Sequence, residues 1–278
     1  MKYHTRYASH PQDVKSYDSQ KLRDHFLIQN LFEINEINMV YSLEDRLIIG
    51  GIYLTEKTIE LTTFDQLKSE TFLERREIGL INVGKYAAVV IADDESFTLQ
   101  PKEALYIGKG VKEIYFKATK EGHTKLYFNS APAHHAFPIK KIGKNEAEIV
   151  ELGSKENSNH RIIYKLLVNS VVKTCQLQMG MTELKTGSVW NTMPAHIHDR
   201  RMEAYFYFDI AEDQTICHYM GQPNETRHIW VHSNEAVISP PWSIHSGAGT
   251  SNYTFIWGMA GENLDYGDMD VISPKDLK

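Results

Sequence analysis

Two strand-rich stretches of this 278-residue chain repeat one another. Glu74-Arg-Arg-Glu-Ile-Gly-Leu-Ile-Asn-Val-Gly84 matches Asp199-Arg-Arg-Met-Glu-Ala-Tyr-Phe-Tyr-Phe-Asp209. Lys102-Glu-Ala-Leu-Tyr-Ile-Gly-Lys-Gly110 matches Asn234-Glu-Ala-Val-Ile-Ser-Pro-Pro-Trp242, and a weaker echo links Ile48-Ile-Gly-Gly-Ile52 with Leu177-Gln-Met-Gly-Met181. The offsets are 125, 132 and about 129 residues, differing only by loop-sized insertions. A period this long marks a duplicated domain, not a solenoid unit. Each copy is short for a large fold and suits one small antiparallel barrel. The chain is therefore expected to be all-β, with two tandem barrels over residues 1–140 and 141–278 and a short N-terminal helical arm around Ser19 to Asn30. Lys140 to Asn159, charged and turn-rich, reads as the linker, and Gly261 to Lys278 as a polar tail.

The second copy carries chemistry that the first lacks. His196 and His198 stand two apart, so on an extended strand both imidazoles leave one face. On a helix they would diverge by about 200°. Glu203 lies five beyond His198, an odd spacing that would turn it to the opposite face of one unbroken strand. Asp199-Arg200-Arg201 must therefore bend the chain before the aromatic run to Phe208 begins a new strand, a state that aromatic residues favour. His245 follows a Pro240-Pro241-Trp242 turn on a further strand.

Three imidazoles and one carboxylate brought together suit a divalent transition metal, and Zn, Mn, Fe and Ni are all compatible. Such a set leaves positions for water or substrate, as catalytic metal sites do. In the first copy the positions of His196 and His198 fall on Thr71 and Leu73, and that of His245 on Glu113. Only the second barrel is expected to hold metal. Arg200 and Arg201 recur as Arg75 and Arg76 in the ligand-free copy, which favours a structural role over substrate binding. By parity Tyr205 and Tyr207 face inward with Glu203, where a phenol either meets a polyhydroxylated substrate or fills the barrel wall. Met220 to His228 reads as a polar hairpin with Gly221 and Pro223 as turn residues, and its Arg227 is a candidate partner for a carboxylate.

The formal charge of −6 shows no basic stripe, which argues against a nucleic-acid partner. An anionic small substrate stays open, because a pocket's charge can oppose the global sign. Cys175 and Cys217 fall in no metal or redox spacing. Met1 to Gln12 is polar, without the apolar core of a signal peptide, and no run approaches the roughly 18 apolar residues of a membrane helix. A cytoplasmic protein is the simplest expectation.

His-x-His-x4-Glu with a later His behind a Pro-containing turn resembles the metal signature of the cupins, antiparallel barrels of the jelly-roll kind. Longer segments are similar to the 5-keto-4-deoxyuronate isomerase family. They include Phe72-Leu-Glu-Arg-Arg-Glu77, Ala104-Leu-Tyr-Ile-Gly-Lys-Gly110, Asn191-Thr-Met-Pro194 and His198-Asp-Arg-Arg-Met-Glu203. Met220-Gly-Gln-Pro223, Ser239-Pro-Pro-Trp-Ser-Ile-His-Ser-Gly247 and Phe255-Ile-Trp-Gly-Met259 extend the likeness, which runs from about Lys21 to Leu277.

The resemblance implies a bicupin with one metal, usually described as zinc, held at His196, His198, Glu203 and His245. It also implies a homo-oligomer, commonly a hexamer, working in the breakdown of pectin or other uronate polysaccharides. Trp242 stands where many cupins carry Gly but where this isomerase family carries Trp. It joins Arg227 and Tyr207 as a candidate substrate contact. The implied reaction turns an aldehyde beside a hydroxyl into a ketone beside a primary alcohol, through an enediolate. Glu203 and a metal-bound hydroxide are the candidate bases. Arg227, Arg201 and a lysine of a neighbouring subunit are candidates for holding the carboxylate. The competing readings are 5-deoxyglucuronate isomerase of inositol breakdown, a cupin dioxygenase, and a non-catalytic sugar-binding bicupin.

Overall fold

Strands form where the sequence alternates or runs apolar, and among the described residues they assemble into two pairs of larger sheets and one two-stranded sheet. A computed structural model describes residues 1–262 and 264–278 and divides the chain into two compact units.

The first unit comprises Met1–Arg6, Asn30–Glu148 and Leu166–Met179. Its larger sheet runs, in spatial order, Lys2–Arg6, Ile37–Ser42, Ile48–Leu54, Thr124–Pro132, Arg76–Asn82, Ala104–Ile107 and Lys140–Ile142. Its smaller sheet runs Ile59–Glu60, Ile114–Ala118, Ala88–Ala92 and Glu95–Leu99. Ala88–Ala92 alternates buried and half-buried residues, as a strand with one face on a core must. Ile78, Leu80, Val90, Leu105, Phe116 and Phe128 share one continuous apolar core, where a buried side chain of this size contributes about 1.5–3 kcal/mol.

The second unit comprises Tyr7–Gln29, Ile149–Lys165 and Gly180–Lys278. The larger sheet on this side runs Glu148–Leu152, Arg161–Leu167, Gln178–Leu184, Thr254–Gly261, Arg201–Phe208, Glu235–Ser239 and Leu27–Ile28. The smaller runs Trp190–Asn191, Ser246–Gly249, Ile216–Gln222 and Glu225–Val231. The helix Ser19–Phe26 is capped by Asp18, whose carboxylate accepts the Lys21 backbone N–H at 2.8 Å.

The duplication is visible residue by residue. Ile78 stands opposite Ile107 and Ser130, and Glu203 stands opposite Ser239 and Met259, so three neighbouring strands reproduce the offsets 125, 132 and 129. A glycine serves the same end in each copy. A Cβ on Gly50 would lie 2.2 Å from the Phe128 ring, and one on Gly180 would lie 2.1 Å from the Trp257 ring. Both positions let an aromatic side chain cross the bare backbone.

The units are not the two contiguous halves expected from a cut at residue 140. Residues 7–29 belong to the second unit because Leu27–Ile28 pairs with Glu235–Ser239. Residues 166–179 belong to the first. There the buried Glu77 carboxylate accepts the backbone N–H groups of Cys175, Gln176 and Leu177, each at 2.8 Å. The expected linker contains the strands Lys140–Ile142 and Glu148–Leu152. The helix stops at Phe26, short of Asn30, because Leu27 turns extended to enter the sheet. Cys175 and Cys217 are buried free thiols. Among the described residues, no helix is long and apolar enough to cross a membrane.

Candidate metal centre

The bend inferred at Asp199-Arg200-Arg201 is present but shorter: Asp199 and Arg200 form the turn between the short strand His196–Ile197 and Arg201–Phe208, which Arg201 already begins. The short strand is held by Asp270–Val271, with His196 opposite Val271. His245 sits between Glu235–Ser239 and Ser246–Gly249, behind a turn closed by the Ser243 N–H on the Pro240 carbonyl at 2.9 Å. That turn is pinned from the side, since the Ser243 hydroxyl accepts the Gly221 N–H and the Gly221 carbonyl accepts the Ile244 N–H, both at 2.9 Å.

These elements bring the four sequence-identified residues to one point. One ligand atom from each of His196, His198, Glu203 and His245 lies within 4.8 Å of the others, so the group could hold a metal ion. His198 Nε2 is 2.9 Å from Glu203 Oε1, and His245 Nε2 is 3.4 Å from Glu203 Oε2 and 2.9 Å from His196 Nε2. His198, Glu203 and His245 are buried.

The outer contacts determine which nitrogen lone pairs face inward. The Asp268 carbonyl, which can only accept, takes the Nδ1–H of His198 at 2.7 Å. The Ser239 hydroxyl lies 3.1 Å from His245 Nδ1 and donates to the Ser243 carbonyl at 3.5 Å, so it accepts from that nitrogen. Both Nε2 atoms are thereby left as bare lone pairs, the tautomer a metal requires. Burial pushes the His196 imidazole down to about 4 and His245 well below its ordinary value. For Glu203, burial pushes up, but His245, His198 and His196 together outweigh it and hold the carboxyl at about 2. Imidazole nitrogens and an ionised carboxylate converging on one point form a donor set that fits a divalent cation.

His196, His198 and Glu203 line a cavity of about 390 Å³, within the usual range for small-molecule sites. Tyr205 lines it too, as parity predicts, with its hydroxyl 2.9 Å from the Thr192 hydroxyl. Tyr266, Met269 and Val271 come from the stretch expected to be only a polar tail. Arg201 ties that stretch down by donating to the carbonyls of Asp265 (2.6 Å), Tyr266 (3.1 Å) and Asp268 (3.2 Å). The structural role expected for this arginine is what the geometry displays.

Three expected substrate contacts do not line this cavity. Tyr207 shares the inward face but lies deeper, fully buried, with its hydroxyl 2.7 Å from His218 Nδ1. Arg227 donates to the backbone carbonyls of Lys15 and Tyr17, which occupies its guanidinium in packing the N-terminal arm. Trp242 meets the helix residue Phe26 edge-on, with ring centroids 6.2 Å apart. Sequence reasoning passed over Arg161 and Lys165, which do line the cavity from one face of their strand. Their i, i+4 parity on a strand was the available signal.

A family model described as the KduI/IolB family matches residues 26–272. The chain belongs to the KduI/IolB family. Within this family, it is 57% identical over 278 residues to the 4-deoxy-L-threo-5-hexosulose-uronate ketol-isomerase of Formosa agariphila, covering 100% of this chain and 99% of the relative. It is 54% identical over 277 residues to the enzyme of the same name from Bacteroides fragilis, covering 99% of each. Among solved structures, an IolB-like protein from Salmonella typhimurium matches with a TM-score of 0.67 at 18% identity, over 81% of this chain and 87% of that one. An oxalate decarboxylase–formate complex from Lactobacillus farciminis matches with a TM-score of 0.56 at 9% identity, over 82% and 79%. These two likenesses carry the fold alone, a pair of cupin barrels. Identity above half along whole chains carries the class of activity: this KduI/IolB member is an isomerase.

Proposed function

We propose that the chain converts 5-dehydro-4-deoxy-D-glucuronate to 3-deoxy-D-glycero-2,5-hexodiulosonate with one divalent ion, zinc in the first instance, held by His196, His198, Glu203 and His245. The supporting observation is the convergence of three imidazoles and a carboxylate, of which His196, His198 and Glu203 line a sugar-sized cavity. The conversion moves one proton from carbon 2 to carbon 1 and a second from the hydroxyl oxygen to the aldehyde oxygen. His196, His198, Glu203 and His245 would hold a divalent ion whose positive charge would stabilise the negative charge that develops on the two oxygens.

In this reading the Glu203 carboxylate, buried among the ligands, takes the carbon proton and returns it to the neighbouring carbon. Tyr205 is kept a neutral phenol by burial, and its hydroxyl is held by that of Thr192, which also lines the cavity. Phe255, Trp257 and Met259 supply an apolar wall that excludes water from the reacting carbons. We also read the protein as a cytoplasmic homo-oligomer, a hexamer, serving the breakdown of pectin or related uronate polymers; light scattering tests the assembly.

The decisive experiment is an isomerisation assay on wild type and His245→Ala, with metal content measured in both. Turnover in the metal-loaded wild type, lost together with metal in the variant, is the expected result. Full metal occupancy without turnover would sink the substrate assignment. Oxygen uptake during turnover would point to the dioxygenase reading instead.

A further inference from the structure

The substrate read into this cavity carries its carboxylate at carbon 6, at the far end from the reacting carbons 1 and 2. A buried carboxylate needs a cation to replace water. Three cations line the cavity: Arg161, Lys165 and Arg201. Arg201 is committed to three backbone carbonyls and is 1% exposed. Arg161 and Lys165 lie four apart on the strand Arg161–Leu167, with Ile163 between them, so all three point to one face, and all three line the cavity.

Arg161 is half-buried and donates one N–H to the Asn159 carbonyl at 2.9 Å. That bond steadies a planar fork suited to a carboxylate. The Lys165 ammonium stands 4.4 Å from the centre of the Tyr266 ring.

The spacing agrees with the length of the substrate. Two strands, Gln178–Leu184 and Thr254–Gly261, separate the Arg161 strand from the Glu203 strand. Three inter-strand steps amount to about 14 Å. A six-carbon chain of single bonds spans roughly 6 Å end to end. The remaining distance is covered by a long arginine side chain from one side and a ligand side chain from the other.

We propose that Arg161, supported by Lys165, anchors the substrate carboxylate and gives this cavity its preference for sugar acids over neutral sugars. This rests on reading the cavity as a uronate site. The test is chosen so that binding can be read without turnover. Metal-loaded wild type, Arg161→Met, Lys165→Met and the charge-keeping Arg161→Lys are titrated with D-gluconate and with D-glucitol, an open-chain acid and its neutral counterpart. Calorimetry or the fluorescence of the cavity residue Trp257 reports binding.

The wild type should prefer gluconate by roughly 10- to 100-fold, the size of a lost charge-assisted hydrogen bond. Arg161→Met should erase most of that preference without changing glucitol binding, Lys165→Met should erase less, and Arg161→Lys should restore part. In the isomerase assay, Arg161→Met should raise KM by a similar factor while kcat falls much less. A wild type with no preference for gluconate, or a preference that survives both Met replacements, overturns the proposal. Loss of binding to both ligands alike would also overturn it, because it assigns the arginine a structural role. If the wild type prefers gluconate but does not isomerise the uronate, the proposed reaction fails and the anchor stands.

Discussion

The two barrels share a sheet plan and differ in what fills it. Position for position, Ile78, Leu80 and Ile107 in the first unit correspond to Glu203, Tyr205 and Ser239 in the second. In the first unit these positions belong to an apolar core that also takes in Leu73 and Phe72. In the second they become a ligand, a cavity-wall phenol and the hydroxyl that orients His245. The paired arginines show the opposite pattern. Arg76 and Arg201 occupy equivalent places and both spend themselves on backbone carbonyls. Arg76 serves Arg46 and Ser130, whereas Arg201 serves the stretch that closes the cavity. The barrel and its arginine are scaffold common to both copies. The chemistry lies in a few inward positions that are polar in the second barrel and apolar in the first, and in the C-terminal strap.

Writing the first barrel's residue into the second tests this most sharply. Glu203→Ile should abolish metal binding and lower turnover by more than about 10³-fold while leaving the strand content intact, as read by metal analysis and circular dichroism. Retained activity would show that the two barrels differ in something other than the ligand set. Ser239→Ala restores a non-polar residue at the outer position. Metal affinity should fall by about 10- to 100-fold, because His245 loses the partner that holds its tautomer. Competition with a chelator measures this.

Much of the contrast was legible in the chain itself. The repeat offsets carried over into strand register because pairing copies along with sequence, and the odd His198-to-Glu203 spacing required the bend that is found. Parity placed Tyr205 correctly on the inward face, but parity reports a face and not a depth, so it grouped Tyr207 with the cavity although Tyr207 packs beneath it against His218. The partners that Arg227 has in the fold, the Lys15 and Tyr17 carbonyls, lie some two hundred residues away in sequence, beyond the reach of a local pattern. The strap was passed over for a related reason. It is held by a two-residue strand and by guanidinium-to-carbonyl bonds, neither of which leaves a periodic trace.

A smaller effect separates structural from chemical use of one position. Leu80→Ala should destabilise the protein by about 2–5 kcal/mol, through lost burial and a cavity, without changing metal affinity. At the equivalent place, Tyr205→Phe should leave the melting temperature within a few degrees and change the kinetics instead, by removing the hydroxyl held by Thr192. Thermal unfolding paired with steady-state kinetics reads both. A Tyr205→Phe variant that melts early but works normally would reverse the assignment.

Acid should act on one barrel before the other. Among the described residues, the buried histidines are His198, His218 and His245, all in the second unit. Burial pushes His218 down to about 3 and, together with weaker charge effects, His196 down to about 4. In the unfolded chain these groups titrate near 6.5. Below that pH the unfolded chain binds protons that the folded one refuses, so stability present above about 6.5 is lost as the pH falls toward 4. The loss is about 1.4 kcal/mol per pH unit for each imidazole kept neutral. Glu203, held at about 2, adds its own loss only when the pH drops below the ordinary carboxylate range. Hydrogen exchange on metal-free protein at pH 7, 5.5 and 4.5 should therefore show Arg201–Phe208 and Thr254–Gly261 losing protection before Arg76–Asn82 and Thr124–Pro132. Simultaneous loss in both sets would mean the barrels unfold as one cooperative body, and that the polar centre confers no local weakness on the barrel containing it.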